Sequence, residues 1–485
     1  MNKRSINSLA VSVLLFLTLA AWSVSSPIGS GVDADFHLGS IWCARGESKV
    51  LCESIDLAAQ PEPTAVVPFM FQMCNGRNIY FWPKCELSPE NPTTQLIRIA
   101  PENKQSVYYW TTHLFASKNV NRSVVLIRLL NSVIASLVFF ALLCLSSHNL
   151  RRAVITSWTL TLVPNGIQLL SGINPRSWAV LGIMSSWAFL YAFLTEDSAN
   201  RKKRWLQLGC FIGSVALTAS ARFDGLLYVC FVSAIVLVIH FVDFEKISIT
   251  RLGQLTGLSF LALFVVQQIP KLNGTLSFGI PTTYAAPQYF VFQIVHLPEF
   301  VADWWGFSVG QQGNGPGIIG LVGVSLFAIY MFALLQRADR RQMIAVSVLS
   351  AFILLALFRA TTAVLAIVPL SGVYTFGLVA PLIGITATYS HADINRLTSN
   401  GIAKFTVVLV GLIHALSFFH WMEFFTRRGV NTQFYDKFSL TGTWWWSSTL
   451  SPNIVFGFGV IAFFAFLSIT WRSFMASSPV ESEYR

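Results

Sequence analysis

Apolar runs of about 20 residues recur along this chain, and that is the length a helix needs to cross a hydrocarbon core. The first extends from about Ser8 to Ser26, behind Lys3-Arg4. The others cover roughly 123–147, 152–170, 176–195, 205–221, 224–242, 251–270, 316–335, 342–358, 373–390, 401–421 and 453–471, which makes twelve. The first run reads as a retained helix rather than a cleaved signal peptide, because it is long enough to span and no clean A-x-A site ends it. The pattern predicts an all-α integral membrane protein with about twelve transmembrane helices. The stretch 359–372 before the tenth run reads as loop, re-entrant segment or surface segment.

Polar stretches divide the chain into a first helix (1–26), an extracytoplasmic loop domain (27–121), helices two to seven (122–270), a second outer loop (271–315) and helices eight to twelve (316–485) with an outer loop at 422–452. Basic residues orient this topology. Arg151-Arg152, Arg201-Lys202-Lys203-Arg204, Lys246 and Arg251, Arg337 with Arg340-Arg341, and Arg396 with Lys404 fall in loops on one side, whereas the short loops on the other side hold one Arg each: Arg176, Arg222 and Arg359. Positive charge gathers inside, so both termini are expected in the cytoplasm.

Composition narrows the function. Of 485 residues 54% are apolar and only 11% charged, against about 25% in soluble chains, which excludes a water-soluble enzyme. The formal charge of +11 is used in orientation rather than in a binding stripe, so nucleic acid is not expected as a partner. Neither a GxxxxGK[ST] loop nor a GxGxxG strand-to-helix turn is present, so any chemistry must draw on something other than a bound nucleotide. The lipid bilayer is the expected environment.

Cys144, Cys210 and Cys230 lie in apolar runs and read as small core residues. Cys43, Cys52, Cys74 and Cys85 all lie in the first outer loop, and an even set on the oxidising side reads as two disulfides. Pairing of nearest neighbours, Cys43 with Cys52 and Cys74 with Cys85, is the simplest of about three connectivities. A zinc site is the rival, although neither spacing is the usual C-x₂₋₄-C.

Candidate chemistry begins just after the first run, at Asp33-Ala34-Asp35-Phe36-His37. Two carboxylates and an imidazole at the outer end of a membrane helix are expensive to place unless they serve a purpose. In an extended segment all three share a face; in a helix only Asp33 and His37 do. Either arrangement offers a general base beside a group that orients it, and a capping role for the Asp pair is the plainer alternative. Arg176 after Asn174-Pro175, Arg222 and Arg359 sit at the outer surface, where a guanidinium can hold a phosphate through two hydrogen bonds. Arg128, about five residues into the second run, is expected to snorkel to the interface. Trp304-Trp305 and Trp444 to Trp446 suit stacking on sugar rings or an interfacial aromatic belt. His113 is a conceivable fourth metal ligand with His37 and the two aspartates; no metal or other cofactor is expected, with a divalent ion the open alternative.

The acidic-plus-His segment leading into Asp35-Phe36-His37-Leu38-Gly39-Ser40-Ile41-Trp42-Cys43-Ala44-Arg45-Gly46 resembles a large family of bacterial polytopic membrane proteins. That family is common in actinobacteria and is grouped by fold with the GT-C glycosyltransferases. Similar features follow in order: Cys74 and Cys85, Ile173-Asn174-Pro175, Ala221-Arg222, Leu297-Pro298 to Trp304-Trp305-Gly306, and Arg427-Arg428-Gly429-Val430-Asn431. The resemblance implies a GT-C-like bundle beneath a disulfide-stapled first loop that carries a catalytic acid. It implies transfer of a sugar from a polyprenyl-phosphate donor to a cell-envelope glycan or glycolipid at the outer face of a bacterial plasma membrane. Asp33 and His37 match the family's Asp and His, while the Glu between them is Ala34 here, with Asp35 as the substitute carboxylate. A GRY-like motif near the tenth run reads Gly372-Val373-Tyr374, which keeps Tyr374 and lacks the Arg.

The expected catalytic residues are therefore Asp33, Asp35 and His37. Arg176, Arg222, Arg359, Arg128, Asn174, Trp304, Trp305 and Tyr374 are expected to bind substrate. A flippase for a lipid-linked saccharide and a non-catalytic envelope assembly protein are the competing classes.

Overall fold

The computed structural model describes residues 3–30, 34–46, 52–55, 64–66, 96–98, 106–242, 297–306, 308–309, 313–314, 317–363, 372, 375–390, 400–426, 440, 446 and 450–475. Its helices are α1 (Lys3–Val24), α2 (Ala34–Trp42), α3 (Val107–His113), α4 (Val120–Leu145), α5 (His148–Thr161), α6 (Ile167–Ser171), α7 (Arg176–Thr195), α8 (Arg201–Ala221) and α9 (Phe223–Phe241). They continue with α10 (Leu297–Ala302), α11 (Gly317–Leu335), α12 (Arg340–Ala363), α13 (Val379–Thr388), α14 (Asn400–Thr426) and α15 (Pro452–Thr470). The described parts of the predicted apolar runs are largely helical; 251–270 and residues 373 and 374 lie outside the described residues. Among the described residues, 7 helices are long and apolar enough to cross a membrane, and Gly225–Phe241 and Phe376–Thr388 are shorter apolar helices. The chain is a multi-pass helical membrane protein.

Outside the bundle, Glu53–Ile55, Thr64–Val66 and Leu96–Arg98 form a small antiparallel sheet in the first loop. The Cys43–Cys52 disulfide, as predicted, joins the end of α2 to the start of that sheet. Cys74 and Cys85 lie outside the described residues.

Packing follows from where small side chains sit. Gly182 of α7 lies against the backbone of Ser214 and the side chain of Thr218 on α8, where a Cβ would clash. Helix α1 is held between α4 and α15, and a Ser23–Ser132 hydroxyl pair at 3.1 Å ties it to α4. At the C-terminal end of α4 the last carbonyls, which a helix cannot pair internally, are taken up by neighbours. Arg151 Nε donates to the Leu143 carbonyl and its Nη2 to that of Ser146, both at 2.8 Å, and Gln207 Nε2 donates to that of Leu145 at 2.9 Å. Arg151, expected as an orienting charge, is thus also a buried helix cap.

The central span is broken. Helix α5 gives way at Leu162–Gly166, where Val163 is extended (φ −108°, ψ 133°), before α6 resumes. Pro164 has no N–H to offer the Leu160 carbonyl four residues earlier. Trp305 Nε1 supplies the missing donor at 2.7 Å. Non-helical backbone at membrane depth is tolerated when it is enclosed by protein, and residues 162 to 167 are all buried.

Candidate active site

A second buried cluster, separate from the main core, gathers Ile28, Leu38, Ile41, Trp42, Tyr108, Tyr109, Ile127, Trp178 and Ala221. Short helices α2 and α3 pack together there. His37 projects from α2, is 6% exposed, and its Nδ1 lies 2.8 Å from Tyr109 Oη. Burial holds the imidazole well below its usual proton affinity, and the positive charges of Arg176 and then Arg222 lower it further. His37 is therefore neutral at physiological pH, with Tyr109 fixing its ring.

Tyr108 points the other way, into the bundle. Its phenol receives the Asn131 amide at 3.4 Å, and burial pushes its pKa up. The same Asn131 nitrogen donates to the Gly172 carbonyl at 2.7 Å, and Asn131 Oδ1 accepts from Trp178 Nε1 at 2.9 Å. An amide buried in an apolar helix must have its donors and acceptor met, and Asn131 does so while linking α3, α4, the loop after α6 and α7. Two neighbouring tyrosines thus divide the work: Tyr108 anchors α3, and Tyr109 reaches the imidazole.

Arg176 opens α7 and is buried, 8% exposed. Asn174 Oδ1 accepts from the Arg176 backbone N–H at 2.9 Å, so Asn174 shapes the turn that presents the guanidinium. Arg222 stands extended (φ −149°, ψ 125°) between α8 and α9. The structure therefore brings together His37, Arg176 and Arg222 with Asn174 behind them. Asp33 lies outside the described residues, as do Tyr374 and the side chains of Asp35 and Arg359. Helix α2 starts at Ala34, so Asp35 and His37 are two helical positions apart.

Three expectations change. Arg128 does not snorkel: Nη1 donates to the Ser23 and Ser26 carbonyls at 2.9 and 2.8 Å, and Nη2 to the Pro27 carbonyl at 2.9 Å and Ser30 Oγ at 3.4 Å. Its charge meets the carbonyls at the C-terminal end of α1, which attract a cation. Trp304 and Trp305, 4% and 3% exposed, present no open face to a sugar. Trp304 Nε1 donates to Thr375 Oγ1 at 3.1 Å, and Trp305 packs on Gly323. Trp446 Nε1 donates to the Val24 carbonyl at 2.6 Å, so this indole also anchors α1, while Trp444 and Trp445 lie outside the described residues. His113 donates from Nδ1 to the Ile41 carbonyl at 2.8 Å, which holds α3 to α2. Among the described residues no group of three His, Cys, Asp or Glu side chains could hold a metal ion.

Sequence reasoning passed over Tyr108, Tyr109, Asn131 and Trp178. The signal available was Asn131, an amide in the middle of an otherwise apolar run, where a polar side chain marks a partner across the bundle.

The profile of a family described as "Predicted membrane protein (DUF2142)" matches residues 16–375, about three-quarters of the chain. That stretch contains His37, Tyr109, Arg128, Arg176 and Arg222. No curated protein and no solved structure matches the chain.

Proposed function

The chain belongs to the predicted membrane protein family DUF2142, and from that premise we propose that it is a GT-C-type glycosyltransferase of a bacterial plasma membrane. It moves a sugar from a polyprenyl-phosphate donor to a cell-envelope glycan or glycolipid on the outer face. The observation that carries this reading is the neutral imidazole of His37, hydrogen-bonded to Tyr109 and near enough to Arg176 and Arg222 to feel both charges. Two guanidiniums beside a buried neutral hydrogen-bonding group suit a phosphate that must be held and then released as a leaving group.

In the proposed reaction an acceptor hydroxyl oxygen forms a bond to the anomeric carbon as the bond from that carbon to the phosphate oxygen breaks. The electron pair leaves on the polyprenyl phosphate, where Arg176 and Arg222 stabilise it. Asp33 or Asp35 takes the hydroxyl proton, and His37, oriented by Tyr109, positions the phosphate. Proton transfer of this kind contributes about 10²- to 10⁴-fold. No divalent metal is invoked, and the distribution of basic residues supports a topology with both termini in the cytoplasm.

Radiolabel transfer from a panel of polyprenyl-phosphate sugars to envelope acceptors tests the reading. Wild type is expected to transfer, and the Asp33→Asn/Asp35→Asn double variant to bind donor without transfer. Equal turnover by the two proteins excludes the assigned base, and no transfer with any donor excludes the transferase.

The broken span at Val163 favours one second reading, since discontinuous membrane helices line the substrate paths of many transporters. A flippase for a lipid-linked saccharide would move labelled lipid across a vesicle without forming a bond.

A further inference from the structure

Helix α3 has two unlike faces. Tyr108, Tyr109 and Thr112 are buried against the bundle, and on the flank His113 Nδ1 reaches the Ile41 carbonyl. Val107, Trp110 and Leu114, at i, i+3 and i+7, face away and are 58%, 53% and 64% exposed. Three large apolar side chains on one side of one short helix form a patch of the kind that marks a protein or membrane contact.

The place of α3 in the fold favours the membrane. Tyr108 meets Trp178, in the first turn of α7, edge to face with ring centroids 5.1 Å apart, and α3 also packs on α8. It therefore lies beside the end of α7, a helix long and apolar enough to cross a membrane. The segment after α3 is pinned to the first turn of α4 by the Ser117–Ser123 hydroxyl pair at 2.9 Å. Helix α4 has 26 residues, about 39 Å at 1.5 Å per residue, against about 30 Å of hydrocarbon. Its ends extend into the headgroup layers, and α3 is fastened to one of them.

Cations border the apolar patch. Arg45, exposed just past the end of α2, sets its guanidinium over the Trp110 ring, 5.3 Å from the centroid. Lys118 and Arg122 are exposed between α3 and the first turn of α4, and residues 106–122 contain no Asp or Glu. On α4, Arg122 heads a row of exposed Leu126, Val133 and Leu137 that shares one helix face, so the apolar row runs into lipid while the guanidinium stays at the headgroups. A tryptophan and aliphatic side chains on one side, with basic residues around them, is the composition of a helix that lies in an anionic interface. Each Lys or Arg near such a surface raises affinity about fivefold.

We propose that α3 is a membrane-surface helix: Val107, Trp110 and Leu114 enter the bilayer interface, and Arg45, Lys118 and Arg122 hold the phosphates of anionic phospholipids around it. The partner is the surrounding bilayer rather than a sugar donor, so the inference is independent of the transferase reading. Tyr109, the neighbour of Trp110, bonds to His37, so the lipid contact steadies the helix that fixes the imidazole.

The experiment uses the full chain in nanodiscs of phosphatidylcholine with or without phosphatidylglycerol, carrying a fluorescent amino acid in place of the exposed Leu114. Spin-labelled lipids quench it from the bilayer and iodide quenches it from water. A spin label close to the headgroup is expected to quench more strongly than one near the chain end and more strongly than iodide. Spin-labelled phosphatidylglycerol is expected to act at a mole fraction about fivefold lower than spin-labelled phosphatidylcholine. Arg45→Gln/Lys118→Gln/Arg122→Gln, a change at three exposed positions, should abolish that preference while quenching by phosphatidylcholine remains. Hydrogen exchange in residues 106–114 of the chain with Leu114 intact gives a second reading: protection should rise with phosphatidylglycerol content, and should not in the triple variant. Quenching by iodide alone places the face in water, and shielding from both quenchers places it under protein; either result overturns the proposal. Equal response of the wild-type cations to the two lipids overturns it as well, because the basic residues would then hold no anionic headgroup.

Discussion

His37 Nδ1 and Tyr109 Oη lie 2.8 Å apart, and both side chains are buried. They come from α2 and α3, 72 residues apart in sequence, so this one hydrogen bond ties two distant short helices together.

Tyr109→Phe tests that tie. It removes the phenol and leaves an imidazole nitrogen buried without this partner, at a cost of about 1–3 kcal/mol. The variant is expected to lower thermal stability measurably and to lower transfer through kcat more than through donor KM, because the ring is no longer held. Tyr108→Phe should lower stability as well, through the Asn131 network, but should leave the kcat to KM balance as in wild type.

The proton affinity of His37 gives a pH dependence with a definite sign. Burial first, then Arg176 and Arg222, depress it below the ordinary value of 6.5. The unfolded chain therefore binds a proton that the folded chain does not, and stability is full above about pH 6.5 and falls as pH drops through and below that value. Thermal unfolding in detergent between pH 8 and pH 5 should show this fall, and His37→Gln should flatten it. An unchanged pH slope in that variant would mean that another group is responsible.

Much of the membrane body is legible in the sequence, because apolar runs near 20 residues leave little choice of structure. Helix ends at residues 145, 195, 221 and 335 fall within two residues of the predicted ones. What could not be read was how polar groups inside those runs are satisfied. Arg128 looks like an interfacial charge when only its distance from the end of its own run is known; its partners, Ser23 to Ser30, lie about a hundred residues away. The Trp304-Trp305 pair resembles a sugar platform for the same reason, since the carbonyl that Trp305 meets exists only because Pro164 withholds an N–H. The Cys43–Cys52 pairing was readable because both residues are close in sequence and on one side of the membrane.

Trp305→Phe and Trp158→Phe form a matched pair. Both indoles are buried in the main core, but Trp305 Nε1 donates to the Leu160 carbonyl, whereas Trp158 Nε1 has no hydrogen-bond partner among the described residues. Replacement by Phe removes the N–H and some packing volume in each case. Loss at Trp305 should exceed loss at Trp158 by about 1–3 kcal/mol, the cost of an unmet buried carbonyl, read as a larger drop in denaturation midpoint. Equal losses would show that the α5–α6 break does not depend on this donor.

Reduction of the Cys43–Cys52 bond should act locally. The bond closes a loop with a sequence separation of 9, for which chain entropy predicts about 2.5 kcal/mol. Cys43→Ser/Cys52→Ser should increase proteolysis in the first loop and weaken the His37–Tyr109 approach while leaving the helical content of the bundle unchanged, as read by limited digestion beside circular dichroism.

Arg176 and Arg222 separate a phosphate-binding role from a purely structural one. Each lowers the proton affinity of His37, Arg176 more than Arg222, so removing either positive charge should raise that affinity and reduce the acid loss of stability, with the larger reduction in Arg176→Met. If the pair also grips the donor phosphate, both Met variants should weaken binding of a short-chain polyprenyl phosphate, and Arg→Lys should recover charge but not two-point contact and so restore only part of it. Ligand-induced stabilisation provides the readout: a ligand that binds only the folded state at 100 times its Kd adds about 2.7 kcal/mol, and a tenfold weaker variant gains about 1.4 kcal/mol less at the same concentration. A shallower acid limb with undiminished phosphate stabilisation would leave the electrostatic coupling intact and remove the donor from this site.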